Sequence, residues 1–311
     1  MDWARCPRRS AVPDLPVSPR PGFAPAKVNL FLHVGVPGED GYHPIVSLMA
    51  FADVGDEVTV NPTHDMAFVA DGPFADSLGE GGDNLVVRAR DALLALSETS
   101  PPPFSLRLTK NLPIASGLGG GSADAAAALR LIAPRIHPRP HAVEVGRIAR
   151  ALGADVAACL GSISVLAKGR GDVLEDAPGL PDLHAVLANP LTPTPTAEVY
   201  RTYDEAPSEE GANVPARPPS MASVAEVVAF LGGCRNDLEA PAVRLRPRIG
   251  DALRFLAAQP ETLLARMSGS GATCFALCED ADAAIGLESR LKALEPGWWV
   301  ARTILAGAPG P

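Results

Sequence analysis

The segment Pro113–Asp124 has the sequence PIASGLGGGSAD and is followed directly by the alanine-rich run Ala125–Leu129. Glycine has no Cβ, so a glycine-rich loop lets several backbone N–H groups point into one concavity. The alanine-rich run predicts a helix whose positive N-terminal end faces that concavity. The segment therefore predicts a phosphate-binding loop, and a glycine-rich turn that only reverses the chain is the simpler alternative.

The loop differs from the two common nucleotide-binding signatures. No Lys-Ser or Lys-Thr pair follows the glycines, as a Walker loop requires, and the spacing is not G-x-G-x-x-G after a strand. If the segment binds phosphate, it is a third kind of phosphate-binding loop. Other motifs in the chain are needed to distinguish phosphate binding from a simple turn.

Length and charge limit the classes of protein to which the chain can belong. The 311 residues predict two domains, and the net charge of −9 argues against a non-specific nucleic-acid partner. No apolar run approaches the roughly 20 residues of a membrane span, and the N-terminus lacks the apolar centre of a signal peptide. We expect a cytoplasmic protein without a membrane partner, whose five cysteines are reduced core thiols rather than metal ligands.

Strand and helix patterns are mixed along the chain, which predicts an α+β fold in two lobes. Residues 1–22, rich in Pro and Arg, predict a flexible extension, and residues 190–219 predict a Pro-rich irregular connection. Alternation predicts strands at Lys27–Val34, Glu57–Val60, Ser105–Thr109, Ile163–Ala167 and His184–Ala188, and a turn followed by a strand at Arg266–Leu277. Helical spacing predicts helices at Asn84–Leu96, Val143–Leu152, Ala222–Leu231, Ile249–Ala258 and Asp282–Leu294.

Three motifs occur in the order and spacing of the GHMP small-molecule kinases, which the chain resembles over nearly its whole length. They are Pro25–Leu32 (PAKVNLFL), the glycine loop and Ser268–Gly271 (SGSG). The resemblance implies an N-terminal ATP-binding domain at 23–163, similar to domain 2 of ribosomal protein S5, and a ferredoxin-like substrate domain at 164–311. It also implies transfer of the γ-phosphate of ATP, with Mg²⁺, to a small molecule.

Further motifs resemble one branch of this family, whose members phosphorylate the 2-hydroxyl of a cytidylylated methylerythritol in isoprenoid synthesis. They are Asp40–His43 (DGYH), Gly82–Leu85 (GDNL), Leu152–Val156 (LGADV), Gly169–Asp172 (GRGD) and Asn236–Glu239 (NDLE). A kinase for another alcohol, such as homoserine or mevalonate, is the first alternative. A noncatalytic nucleotide-sensing protein on the same fold is the second. We expect a monomer or a homodimer.

The resemblance implies that Asp155 is the general base and that Lys27 pairs with it and steadies the incoming phosphoryl group. From the residues alone, Asp155 after Gly153-Ala154 also suits a helix N-cap. Lys27 could be a solvated strand lysine, yet it lies between Ala26 and Val28 in an apolar run, where an unpaired charge is costly. A carboxylate partner is therefore the simpler explanation.

The resemblance also assigns the substrate and nucleotide contacts. Tyr42, His43 and Tyr200 would enclose the cytosine, although each alone is more often a half-buried core aromatic. Asn29 lies on the same strand face as Lys27 and would bind substrate, unless it closes a turn. The remaining assignments are Thr196, Ser268 and Gly269 to the substrate, and Asn84, Lys110, Pro113, Gly117, Leu118, Gly119, Gly120, Gly121 and Ser122 to ATP.

The sequence does not settle the roles of Lys110, Ser122 and Ala123 in the nucleotide site. Lys110 alone suggests a plain exposed lysine at a strand end, and Ser122 is the one candidate contact for Mg²⁺. The family often has a second serine where this chain has Ala123, so we expect a missing hydroxyl contact to phosphate and an altered ATP affinity.

Overall fold

The structure is a computed structural model that describes residues 20–78, 84–177, 179–216 and 221–305. Residues 1–19 of the predicted N-terminal extension lie outside this range, and so do Gly82 and Asp83 of the GDNL motif.

The first part of the chain forms a mostly antiparallel sheet around one long strand. Its strands are β1 (Phe23–Val34), β2 (Ile45–Pro62), β3 (Ala67–Asp71), β4 (Phe104–Thr109), β5 (Val165–Gly169) and β6 (Val173–Asp176). The central strand β2 pairs antiparallel with β1, β4 and β5. β3 extends the sheet in parallel beside β4, and β6 pairs antiparallel with β5.

Helices cover one face of this sheet and enclose a first core. They are α1 (Leu85–Leu94), α2 (Gly120–Ile132), α3 (Ala142–Leu152) and α4 (Ala154–Gly161). The central helix α2 packs against α1, α4, β1 and β2, and its alanines 125–128 are fully buried. Small side chains let these neighbours approach the helix closely, and a helix that is apolar on all sides is stable only inside a core.

The second part of the chain adds a four-stranded antiparallel sheet. Its elements are β7 (Leu183–Asn189), α5 (Thr196–Tyr203), α6 (Val224–Gly232), α7 (Glu239–Leu245), α8 (Pro247–Ala257), β8 (Leu264–Met267), β9 (Cys274–Leu277), α9 (Ala281–Leu294) and β10 (Trp299–Leu305). The strand order is β10-β7-β9-β8, and the pair Leu305–Ala52 joins β10 to β2. The predicted α+β fold in two lobes is confirmed.

Every predicted strand and helix is present, with ends that differ by a few residues, but two regions differ more. β2 begins at Ile45, well before the predicted strand at Glu57–Val60, because its first half is buried on both faces and has no polar alternation. The Pro-rich connection contains α5, whose short amphipathic pattern is hidden by the prolines that precede it. β5 and β6 fall inside the predicted C-terminal domain, yet they pair with the N-terminal sheet.

Four of the five cysteines lie in the described residues. Cys159, Cys234, Cys274 and Cys278 are free and buried, as predicted for reduced core thiols. Burial raises the pKa of the Cys234 thiol to about 11, which keeps it protonated. Within the described ranges, no helix combines the length and the apolar character that a membrane crossing requires.

Candidate active site

The glycine loop lines a cavity of about 420 Å³. Gly117 and Gly119 have the positive φ angles 76° and 63°, which residues with a side chain rarely adopt. A Cβ on Gly117 would lie 2.2 Å from the carbonyl oxygen of Ser268, and one on Gly119 would lie 3.0 Å from Cε of Lys27. Both positions therefore require glycine, because of backbone conformation and because other chain segments approach them closely.

Helix α2 begins at the end of this loop. Gly119 is its N-cap and supplies no capping side chain, so the first N–H groups of the helix have no side-chain acceptor at the cap. Gly119, Gly120, Gly121 and Ser122 all line the cavity. The positive end of the helix is therefore available to an anion bound in the cavity.

Lys27 and Asp155 meet beside the loop, although 128 residues separate them in sequence. Lys27 Nζ lies 3.2 Å from Asp155 Oδ2 and donates a hydrogen bond of 2.8 Å to Asn29 Oδ1. The lysine side chain is only 6% exposed, whereas that of Asp155 is 38% exposed. The ammonium is therefore held inside the protein, and the carboxylate faces the cavity. The solvated-lysine interpretation of Lys27 is wrong.

The local structure around Asp155 excludes the capping role that its sequence context suggested. Gly153 is the N-cap of α4, and Asp155 is the second residue of the helix. An acidic side chain in the first turn of a helix interacts favourably with the helix dipole. Asn29 likewise closes no turn, because it lies inside β1.

Lys110 is buried beneath the glycine loop. Its ammonium donates hydrogen bonds to Asp56 Oδ2 and, over 2.9 Å, to Asp124 Oδ2. A Cβ on Gly120 would lie 2.9 Å from Lys110 Nζ, so the loop rests directly on the ammonium group. The exposed-lysine interpretation of Lys110 is wrong, and its charge is paired within the protein.

The three charges under the loop influence one another. Burial raises the pKa of Asp124 to about 8, although the neighbouring ammonium opposes this shift. Burial alone would lower the pKa of Lys110, but the two carboxylates outweigh burial and raise it. Asp124 Oδ1 has no hydrogen-bond partner among the described residues. The Asp56 carboxylate, in contrast, also accepts from the backbone N–H groups of Asn111 and Leu112.

The SGSG turn closes another wall of the cavity. The Ser268 hydroxyl donates 3.0 Å to the Gly117 carbonyl and accepts from the Asn29 backbone N–H over 3.1 Å. Ser268 is fully buried and does not line the cavity, so its hydroxyl ties the glycine loop to β1. The NDLE motif supports this turn, because Asn236 Nδ2 donates 2.8 Å to the carbonyls of Met267 and Gly269.

The predicted cytosine group is only partly assembled. The His43 and Tyr200 rings lie 4.8 Å apart, and Tyr200 lines the cavity beside Thr196. His43 Nε2 lies 2.6 Å from Asp204 Oδ1. Tyr42 is 58% exposed and does not line the cavity, and the guanidinium of Arg170, from the GRGD motif, lies 4.3 Å from its ring centroid.

Most residues assigned from the sequence border the cavity. Those that do are Lys27, Asn29, Lys110, Pro113, Gly117, Gly119, Gly120, Gly121, Ser122, Asp155, Thr196, Tyr200 and Gly269. Of the remaining assigned residues, Leu118 is a core residue whose carbonyl accepts from the Lys27 N–H, and Asn84 caps α1 by accepting from the Val86 N–H.

Two features of the site differ from what the sequence suggested. Asp56 and Asp124 were missed, although Asp124 closes the glycine segment and a buried Lys110 needs carboxylate partners. Ala123 lies in the first turn of α2, is fully buried in the core and does not line the cavity. The cavity lining therefore gives no support to the expected loss of a phosphate contact at this position.

Comparisons with known proteins agree with this geometry. The family models described as GHMP kinases N terminal domain and GHMP kinases C terminal match residues 84–162 and 225–296. The chain is 53% identical over 285 residues to the 4-diphosphocytidyl-2-C-methyl-D-erythritol kinase of Caulobacter vibrioides, which covers 91% of this chain and 98% of that relative. It is 55% identical to the kinase of the same name from another Caulobacter species, over 92% of this chain and 98% of the relative.

A solved structure shows the same similarity in three dimensions. It is the crystal structure of a 4-(cytidine 5'-diphospho)-2C-methyl-D-erythritol kinase, with a TM-score of 0.70 and 31% sequence identity. The similarity covers 92% of this chain and 99% of that chain, so it extends over both lobes.

Proposed function

Since the chain belongs to the GHMP kinase family, we propose that it transfers the γ-phosphoryl group of ATP to the 2-hydroxyl of 4-diphosphocytidyl-2-C-methyl-D-erythritol. The products are the 2-phosphate and ADP, in a step of the non-mevalonate route to isoprenoids. The observation that carries this function is the Lys27–Asp155 pair beside a glycine loop at the N-terminus of α2.

Phosphoryl transfer requires an aligned hydroxyl, a proton acceptor and positive charge near the moving phosphoryl group. Asp155 presents its carboxylate to the cavity and accepts the proton of the substrate hydroxyl. Lys27 holds the Asp155 side chain in place through their contact and supports the charge that develops on the phosphoryl oxygens. These roles need both residues in one place, which a protein that only senses nucleotides does not.

The glycine loop and the first turn of α2 hold the phosphates through backbone N–H groups and the helix dipole. Lys110 contributes from beneath the loop, where its contacts with Asp56 and Asp124 support the backbone of Gly120. The nucleotide role of Lys110 is therefore one of holding the loop in shape, with its ammonium bound by the Asp56 carboxylate and the Asp124 carboxyl group.

The substrate occupies the opposite part of the cavity. Tyr200 offers an aromatic face for the cytosine, and His43 packs on the Tyr200 ring from behind. Thr196 bonds to Ser270 over 2.9 Å at the same wall. Tyr42 lies outside this wall, and its contact with the base would require a change in its position when substrate binds.

Mg²⁺ fits the residues that are present. The described residues contain no group of three or more His, Cys, Asp or Glu side chains that could hold a metal ion, and Ser122 offers one hard oxygen ligand at the start of α2. Mg²⁺ commonly binds through phosphate oxygens, waters and one or two protein ligands. When bound, it neutralises charge on the phosphate oxygens.

The domain boundary that best suits the strand pairing lies after β6. β5 and β6 pair with the N-terminal sheet, which supports an ATP-binding domain of 23–176 followed by a substrate domain, instead of the division at 163 and 164.

Four free buried cysteines suit the reducing cytoplasm, which is the compartment that we propose.

A substrate panel tests the proposed function. ADP release is measured with 4-diphosphocytidyl-2-C-methyl-D-erythritol, homoserine and mevalonate, and the position of the new phosphate is determined by NMR. We expect ADP release with the first compound only and a phosphate on its 2-hydroxyl. Faster turnover of homoserine or mevalonate, or no turnover at all, would contradict the proposal.

A further inference from the structure

Ser47 lies in the first half of β2 and is fully buried next to the Lys27–Asn29 pair. It does not line the cavity and therefore cannot touch a bound substrate directly. We propose that Ser47 is a positioning residue for phosphoryl transfer, because it fixes the orientation of the Asn29 amide and, through that amide, the Lys27 ammonium. This inference rests on the proposed kinase function.

A backbone carbonyl determines which group donates in each hydrogen bond around Ser47. The Ser47 hydroxyl donates 2.6 Å to the carbonyl of Phe31, which can only accept. A hydroxyl has a single proton, so Ser47 Oγ can only accept from its other neighbour. That neighbour is Asn29 Nδ2, at 2.7 Å. The NH₂ group of the Asn29 amide must therefore face Ser47.

The orientation of the Asn29 amide in turn determines its hydrogen bond to Lys27 of the catalytic pair. With its NH₂ group on Ser47, Asn29 presents Oδ1 to Lys27 Nζ at 2.8 Å. A flipped amide would place two donors against an ammonium that can only donate, so it would lose this bond and repel the charge. One N–H of Lys27 is thereby committed to Asn29, while the ammonium forms an ion pair with Asp155 at 3.2 Å and stays available to the phosphoryl group.

Lysine has a long side chain with several rotatable bonds, and fixing its ammonium requires more than one contact. Asn29 itself is 2% exposed, so water cannot easily replace Ser47 as the acceptor for its NH₂ group. Loss of the Ser47 hydroxyl would let the amide populate both orientations. In one of them, Lys27 would lose its second anchor.

A purely structural role is the competing explanation. The Phe31 carbonyl lies where the pairing of β1 with β2 shifts register, between Asn29 and Phe31, and Ser47 could serve only to satisfy this carbonyl. Such a role predicts lower thermal stability with normal turnover per folded molecule. The positioning role predicts lower kcat with nearly unchanged KM, because Ser47 touches no ligand.

The test compares Ser47→Ala, Ser47→Cys and Ser47→Thr by steady-state kinetics and thermal unfolding. Cysteine keeps the approximate size of serine but forms only weak hydrogen bonds. The Cys variant therefore tests the hydroxyl even if the Ala variant does not fold. We expect kcat to fall by about 10-fold or more in the Ala and Cys variants, with both KM values within about 3-fold. The Thr variant keeps the hydroxyl and should restore most of kcat.

A double-mutant cycle with Asn29→Ala shows whether Ser47 acts through the amide. Without the amide, Ser47→Ala should change kcat by less than about 2-fold. The full Ser47→Ala effect in the Asn29→Ala background, or a kcat within about 2-fold of wild type in folded Ser47→Ala and Ser47→Cys proteins, would overturn the positioning role.

A readout independent of turnover separates this inference from the proposed function. The chain has seven asparagines, so selective ¹⁵N labelling of their side chains gives few NMR signals. We expect the Asn29 NH₂ protons to exchange with water at least about 10-fold faster in Ser47→Ala than in wild type, and equal exchange would contradict the orientation. A wild type without turnover would overturn the kinase function, whereas an active wild type with unaffected variants would overturn the Ser47 role alone.

Discussion

Lys27 has a positive charge that is almost completely withdrawn from water, and its two side-chain contacts are Asn29 and Asp155. Burial of a charge is costly unless a partner compensates it, so this lysine depends on its carboxylate. Asp155 is more exposed and remains hydrated if the lysine is removed. The two members of the pair therefore differ in what their loss does to stability.

We predict that Lys27→Ala lowers kcat by about 100-fold, because the variant loses charge stabilisation in the transition state and the partner of Asp155. Steady-state kinetics and a thermal melt measure the two effects. Lys168→Ala is the control, since Lys168 also has a carboxylate partner, Glu175 at 2.7 Å, but does not line the cavity. A Lys27→Ala protein with lower stability and normal kcat would favour a structural role.

We predict that Tyr200→Ala weakens binding of the cytidylylated substrate and leaves ATP affinity nearly unchanged. Loss of an aromatic stacking face costs about 1–3 kcal/mol, which corresponds to roughly 5- to 150-fold in affinity. Titration of each ligand against both proteins measures the change, and Tyr200→Phe keeps the ring as the control. A fall in ATP affinity, or equal binding of methylerythritol phosphate without its cytidine, would contradict the cytosine assignment.

Single residues were predictable where their chemistry is unusual for their surroundings. The glycines of the loop and Lys27 in an apolar strand are such cases, and the structure brings them together. Asp56 and Ser47 were not predictable, because single Asp and Ser residues in or beside strands are common and only their partners give them a role. These partners come from distant segments, which local sequence does not specify.

Helix α2 is the element whose packing restricts its amino-acid sequence most. It is surrounded by α1, α4 and the sheet, and alanine is the residue that fits such close contacts. Within this apolar helix lies Asp124, which is fully buried and pairs with Lys110 from the segment after β4. The helix was predictable from its alanines, but the pair below the glycine loop was not.

We predict that Asp124 makes folding stability depend on pH. Burial raises the pKa of its carboxyl from 3.8 to about 8. The unfolded chain therefore loses this proton near pH 4, while the folded protein keeps it until about pH 8, so stability falls as pH rises through this window. Between these two pKa values, the group lowers the free energy of unfolding by up to about 1.4 kcal/mol for each unit of pH.

Asp124→Asn removes this proton and keeps an oxygen for Lys110. We expect the free energy of unfolding of the variant to fall less between pH 5 and pH 7.5 than that of wild type, as measured by urea unfolding. Asp65→Asn, at an exposed turn, is the matched control. An equal or steeper fall in Asp124→Asn would show that Asp124 does not bind the proton in the folded protein.

Helix α5 shows why some elements escape prediction. It has eight residues and follows three prolines within residues 190–195, and these prolines indicate an irregular chain. Packing against α7 and the hydrogen bond that the Tyr203 hydroxyl donates to the Val34 carbonyl hold the helix in place. Short helices of this kind depend on tertiary contacts more than on their own sequence pattern.

At the scale of the whole molecule, the catalytic pair and the loops around it come from four segments that are far apart in sequence. β1, the glycine loop, α4 and the SGSG turn contribute Lys27, Gly117, Asp155 and Gly269 to one cavity. The Ser268 hydroxyl joins three of these segments, because it donates to the Gly117 carbonyl and accepts from the Asn29 backbone N–H. The order of the motifs was enough to predict the fold, whereas the contacts among them required the structure.

The removal of the carboxylate charge from Asp155 tests the central claim, which is that this side chain is the base in phosphoryl transfer. Asp155→Asn is compared with wild type in single-turnover experiments with ATP and 4-diphosphocytidyl-2-C-methyl-D-erythritol, and the affinity for each ligand is measured by calorimetry. We predict that the rate constant for transfer falls by at least about 100-fold, while both affinities stay within a few-fold of wild type. A transfer rate constant close to that of wild type would contradict the account.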